Sequence, residues 1–271
     1  SIQFLTLILL FSTTISYFRA EQNAIQKALE IGSMSEEFTN NTGYIFLQLM
    51  PLLFFWNKRP IIQYILLVFI LSYIIMGMKR GAILIGVICL IWFLHRTLKS
   101  TSQRNKLLLA ILTTITLIVG TLYVRDFYDN SEYFQYRVEQ TLDGDSSGRD
   151  NIVGLLWEYF INQDSMLNIM LGNGAYETIN IAGKLAHNDW LELLICQGLL
   201  GIVIYIAYYA SLWKMFKQNR NNILVYNIMG MCLIIMVASS LFSMSYNNLS
   251  LGITLCLGYC LAHQEKSIKK S

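Results

Sequence analysis

The chain has 271 residues, of which 55% are hydrophobic and only 14% charged, and its formal net charge at pH 7 is +3. The apolar residues lie in long runs instead of at alternating or helical spacing, which excludes an ordinary soluble domain. Lys and Arg gather into no stripe with interleaved aromatics, which argues against nucleic acid as a partner.

A helix that crosses a bilayer needs about 20 mostly apolar residues, because the hydrocarbon core is about 30 Å thick and each residue rises about 1.5 Å. Taken in chain order, the runs at residues 2–18, 60–77, 81–95, 107–124, 190–213, 223–242 and 246–262 are candidates. Tyr44 to Trp56 is a shorter run that contains Pro51, and it reads either as a short crossing or as a re-entrant segment. The expected fold is therefore all-α, a multi-pass bundle of about eight transmembrane helices. The first run lacks a basic leader and a small-residue cleavage site, which favours a spanning helix over a signal peptide. Because the chain starts at Ser1 and not Met, a further N-terminal portion is expected. The cysteines at 89, 196, 232, 256 and 260 all sit inside apolar runs with no CxxC pair, and they read as packing residues; no metal and no cofactor is expected.

Cytoplasmic loops carry an excess of Lys and Arg. Lys58 and Arg59, then Arg96, Lys99, Arg104 and Lys106, then Lys214, Lys217 and Arg220, and finally Lys266, Lys269 and Lys270 all fall on one side if the chain crosses eight times. The segments between them are then outside and acidic. Residues 19–43 set Arg19 and Lys27 against Glu21, Glu30, Glu36 and Glu37, and residues 125–189 set four basic side chains against eleven acidic ones. This divides the chain into N-terminal transmembrane helices (1–124), a large, partly helical extracytoplasmic loop (125–189) and C-terminal transmembrane helices (190–271).

Lys79 and Arg80 break the charge rule, since the same count places them outside. Three readings stand: cations marking a tight turn at headgroup level, a segment at 44–56 that does not cross and so shifts the count, or charges kept there to bind an anion such as a lipid headgroup or a lipid-linked phosphate. A buried cation costs roughly 2.5–3.5 kcal/mol near a helix centre and less at its end.

In the outer loop, Asp145-Ser146-Ser147-Gly148-Arg149 precedes a stretch, Asp150 to Ile161, whose polar residues fall at helical spacing. It suits a helix on the membrane surface or against the bundle mouth. Arg149 falls just before or within its first turn, where the helix dipole does not favour a cation. An anion shared with the free N–H groups of that turn, or an ion pair with Asp145 or Asp150, would account for it. Leu171-Gly172-Asn173-Gly174 reads as a turn.

Next comes His187-Asn188-Asp189-Trp190-Leu191-Glu192, at the entry to the 190–213 run. Asp189 and Glu192 have the spacing of a capping box, so their first expected role is to satisfy the opening N–H groups of the helix. His187 lies just before it at the water interface, where an imidazole, with an ordinary pKa of about 6.5, can exchange a proton. Gly198 and Gly201 would let another helix pack closely.

KRG at 79–81, SSGR at 146–149 and HNDWLELLICQGLLG at 187–201, in this order, resemble the O-antigen ligase and polymerase superfamily of bacterial membrane enzymes. The resemblance covers roughly residues 60–215. It implies an active site facing the periplasm or exterior of the inner (cytoplasmic) membrane, and glycosyl transfer from an undecaprenyl-diphosphate-linked oligosaccharide without a nucleotide sugar, metal or other cofactor. It further implies that Arg80 and Arg149 engage the donor diphosphate, that His187 activates the acceptor hydroxyl, and that Lys79, Asp189 and Glu192 are secondary site residues. Lys79 stands where family members often carry serine. The implied partners are the lipid-linked oligosaccharide, membrane lipid, and a glycan or lipid A core acceptor. A polymerase of repeat units of a surface polysaccharide is the expected function. A ligase that transfers the glycan to lipid A core is the alternative, and a transporter of lipid-linked glycans fits less well, since no internal repeat is visible.

Overall fold

A computed structural model of the protein describes residues 2–31, 40–100, 103–130, 135–136, 138–139, 148–243 and 251–268. Ser146, Ser147, Glu36, Glu37 and residues 246–250, which enter the expectations above, lie outside them. Among the described residues every regular element is a helix: α1 (Ile2–Ile31), α2 (Thr42–Leu49), a 3-10 helix (Met50–Trp56), α3 (Pro60–Met76), α4 (Arg80–Ser100), α5 (Gln103–Asn130), α6 (Arg149–Ile161), α7 (Met166–Leu171), α8 (Glu177–Ala182), α9 (Asp189–Gln218), α10 (Ile223–Phe242) and α11 (Leu251–Ile268). Five stretches of the described residues are long and apolar enough to cross a membrane: Ile2–Asn23, Arg80–Lys99, Lys106–Asn130, Asp189–Gln218 and Ile223–Leu241. The other three expected runs form shorter apolar helices, Thr42–Trp56, Pro60–Met76 and Leu251–His263. The chain is compatible with a multi-pass membrane protein. Its residues fall into two compact units, one of Ser1–Glu139, Asn222–Ile235 and Ser250–Ser271, the other of Gln140–Asn221 and Met236–Leu249.

At the centre of the first unit is the segment from α2 through the 3-10 helix, with α1, α3, α4 and α11 packed on it. Phe46, Leu47, Leu49, Met50, Leu52 and Leu53 are buried on all sides, the environment that a helix apolar all round requires. The switch to 3-10 geometry has a local cause. Pro51 has no N–H to bond Leu47 four residues back, and the Met50 N–H bonds the Leu47 carbonyl instead. Eight α-helical residues followed by seven 3-10 residues extend about 26 Å. On α11, a Cβ at Gly252 would lie 2.9 Å from the Gln48 carbonyl oxygen, so only glycine permits this approach.

One end of the unit is tied by Asn40, which is 5% exposed. Its Nδ2 donates to the Tyr17 carbonyl at 3.1 Å, and its Oδ1 accepts from the Thr42 N–H at 3.0 Å and the Thr42 hydroxyl at 2.6 Å. Its own N–H bonds the Gly77 carbonyl at 3.1 Å. Asn40→Ala strands these buried partners, and a loss of about 3 kcal/mol is expected, read as a lower unfolding midpoint in detergent. Elsewhere in the unit, Arg96 donates from Nε to Asn227 Oδ1 at 2.6 Å, with its guanidinium 4.7 Å from the Tyr226 ring centre.

The second unit contains α6 to α9 and the end of α10. Its core joins Ile152 and Leu156 of α6 to Ala186 and to Leu191 and Ile195 of α9. α6 therefore packs by one face, leaving Val153, Trp157 and Ile161, at helical i, i+4, i+8 spacing, exposed.

α9 is not one straight rod. Gly198 has φ 64° and ψ −163°, outside any helical conformation. Asp189 Oδ2 nevertheless accepts a 2.6 Å hydrogen bond from the Tyr205 hydroxyl, and the Trp190 ring centre is 6.3 Å from that of Tyr209. In a continuous helix, sixteen residues would separate Asp189 from Tyr205 by about 24 Å along the axis. The arm before Gly198 thus folds back on the arm after it. The arm from Leu199 to Gln218, about 30 Å long as a helix, has by itself the length of a crossing.

Candidate functional site

The fold-back leaves carbonyls without helical partners, since Ile195 and Cys196 would otherwise accept from Leu199 and Leu200. The loop after α7 supplies the donors. The Asn173 N–H and Nδ2 reach the Ile195 carbonyl at 3.0 and 3.1 Å, and the Gly174 N–H reaches that of Cys196 at 3.1 Å. Gly172 lies so close that a Cβ there would stand 2.3 Å from the Cys196 carbonyl. The Leu171–Gly174 turn is as expected from its glycines, but its role is to complete the break in α9. Gly198 meets Met170 at the end of α7 and Gly172 after it, the close approach of another helix that was expected, whereas Gly201 meets Gln197 and Leu193 of the folded-back arm.

The expected capping box is also corrected. The cap of α9 is Asn188, whose Oδ1 accepts from the N–H groups of Trp190 and Leu191 at 3.0 and 3.1 Å, while its Nδ2 donates to the Leu241 carbonyl at 3.3 Å. Asparagine is as good a cap as aspartate and stands one residue earlier. Asp189 is released to turn inward and is fully buried on Tyr205. Glu192, 1% exposed, accepts from the Thr178 hydroxyl at 2.7 Å and from the Ala186 N–H at 2.8 Å, with Cys196 Sγ at 3.6 Å from the same oxygen that Thr178 meets. Neither acid is solvent-facing, and the sequence carried no sign of Tyr205 or Thr178 as their partners.

His187 is thereby clamped at both neighbours, by Glu192 holding Ala186 and by Asn188 capping α9. It is itself exposed and adopts a left-handed backbone with φ 53°, uncommon for any residue but glycine, although asparagine, aspartate and histidine enter it more readily than the rest. Glu192→Ala leaves the Thr178 hydroxyl and the Ala186 N–H buried without an acceptor, at about 1–3 kcal/mol each. The expected outcome is a lower unfolding midpoint together with an altered reactivity of His187 toward diethyl pyrocarbonate. Glu192→Gln keeps an acceptor oxygen and is expected to move both much less.

Arg149 is the first residue of α6, after Gly148 at φ 76°, and is exposed; α6 reaches the His187 turn through the Ile152, Leu156 and Ala186 packing. Arg149 and His187 thus belong to one compact unit. Lys79 and Arg80 belong to the other. They form the tight turn between α3 and α4, both half-buried, and Arg80 opens α4 much as Arg149 opens α6. Comparison with models of protein families, with curated proteins and with solved structures gave no match to this chain.

Proposed function

We propose that this chain is a multi-pass glycosyltransferase of the bacterial inner membrane, resembling the O-antigen ligases and polymerases, and that it joins undecaprenyl-diphosphate-linked repeat units of a surface polysaccharide. In this reading the five long and three shorter apolar helices make eight crossings, and the acidic 125–189 segment is outside. The observation that carries it is the placing of an arginine as the opening residue of α4 and of α6, with His187 held in the same unit as the second of them. A guanidinium beside the free N–H groups of a first helical turn suits a diphosphate. His187 takes the proton of an acceptor hydroxyl as that oxygen attacks the anomeric carbon of the donor sugar. The bond from that carbon to the diphosphate oxygen breaks, and Arg149, in the unit that holds His187, offsets the charge on the departing undecaprenyl diphosphate, the role that the resemblance also gives Arg80. The first unit supplies an apolar cavity of about 660 Å³, lined by Val68, Leu71 and Ile75 of α3 and by Leu117, Thr121 and Val124 of α5, whose chemistry suits an isoprenoid chain.

Deletion of the gene followed by glycan analysis tests this. Single repeat units on the final acceptor are expected. Long chains held on the lipid carrier would instead mean that the chain ligates finished glycan to lipid A core, and an unchanged glycan would end both readings.

A further inference from the structure

α7 presents Met166, Leu167, Met170 and Leu171 with 73, 69, 48 and 53% of their surfaces exposed, a density of bare apolar side chains that water does not favour. Its place along the membrane normal can be read from its anchor. The loop that closes α7 docks on Ile195 and Cys196 at the corner of α9. From that corner the second arm runs through Leu199, Leu200, Val203 and Ile204, all exposed, to Trp213 and Lys217, whose ammonium lies 5.3 Å from the Trp213 ring centre. A tryptophan and a lysine together mark a membrane–water interface. From Leu199 to Lys217 this arm rises about 28 Å, close to the depth of the hydrocarbon core, so the corner on which α7 docks lies at its opposite boundary. We propose that α7 is an interfacial anchor, lying at the opposite boundary of the hydrocarbon with its four exposed side chains among phospholipid acyl chains. The exposed stripe Val153, Trp157 and Ile161 of α6 gives the same unit a second face of the same chemistry. The argument rests on the crossing of the second arm of α9 and not on the glycosyl transfer.

The test uses the full chain carrying one added cysteine, Met166→Cys or Met170→Cys, labelled with bimane and reconstituted into phosphatidylcholine–phosphatidylglycerol vesicles. The five native cysteines are buried and leave the added thiol as the reactive one. Lys184→Cys, at an exposed position in the same unit, is the aqueous reference. Brominated acyl chains are expected to quench most of the emission at 166 and 170 and little at 184, and aqueous iodide the reverse. Iodide quenching at 166 and 170 equal to that at 184 would overturn the proposal in favour of a solvated loop. Protection from both quenchers would overturn it in favour of a protein cover such as a second copy.

Discussion

Gly198→Ala is expected to abolish accumulation of the folded protein. A Cβ at this position would stand 2.6 Å from the Gly172 nitrogen and from the carbonyl carbon and oxygen of Met170, all backbone atoms that have no rotamer by which to step aside. The backbone region itself is essentially closed to any other residue, at about 1–3 kcal/mol of strain before the collision is counted. Gly172, at φ 83° and ψ −179°, occupies the same region on the facing strand of chain, so Gly172→Ala is expected to fail equally. Together, strain and overlap place each loss beyond about 4 kcal/mol, enough to unfold an ordinary domain. Two glycines calibrate the result. Gly174, at φ 102°, has open space where its Cβ would be, so alanine there carries strain alone. Gly154 is helical with open space, and alanine there is expected to be neutral or to gain up to about 1 kcal/mol. The check is the amount of protease-resistant protein in the membrane fraction. Wild-type amounts of Gly198→Ala would mean that α9 does not fold back.

Loss of long-chain polysaccharide with the protein still present is the second expected result, for Arg80→Ala, Arg149→Ala and a His187 substitution. His187 and Arg149 are exposed and Arg80 half-buried, so none is a core residue whose removal collapses a unit. For His187 the informative change is to asparagine, which tolerates the left-handed backbone while removing the imidazole. Loss of a general base costs about 10²–10⁴ in rate, and loss of a group that offsets developing charge about 10²–10³. Arg149→Lys keeps the charge but not the two-pronged geometry, and is expected to retain part of the activity. Polymer of normal length and amount from all three variants would remove the catalytic assignment, whereas loss of the protein itself would expose a structural role.

The elements were legible where a run of apolar residues has one possible fate. The runs at 2–18, 107–124 and 223–242 became long helices because backbone groups in an apolar setting must be paired within the segment. The placement of Arg149 at the start of α6 also follows from local pattern, since Gly148 frees the turn and the spacing from Asp150 onward is helical. Hydropathy has no sense of direction, however. The residues from Leu191 to Trp213 read the same whether the chain runs straight or doubles back, and the reversal depends on Gly172 and Asn173, about 25 residues away in sequence, meeting Gly198 and Ile195. The partners of Asp189 and Glu192 were hidden for the same reason: Tyr205 comes within reach only after the reversal, and Thr178 only after α8 has packed.

The 3-10 geometry imposed at Pro51 works as a spacer. Were Met50–Trp56 to relax into an α-helix, as Pro51→Ala would permit, its seven residues would shorten by about 3.5 Å. In the proposed eight-crossing reading, where this segment spans, that is comparable to the difference in thickness between natural membranes, and it would draw Asn57 and Lys58 toward the hydrocarbon. A defect in such a variant is therefore expected to ease in bilayers of shorter-chain lipids, which makes this proline a gauge of the membrane the protein is matched to.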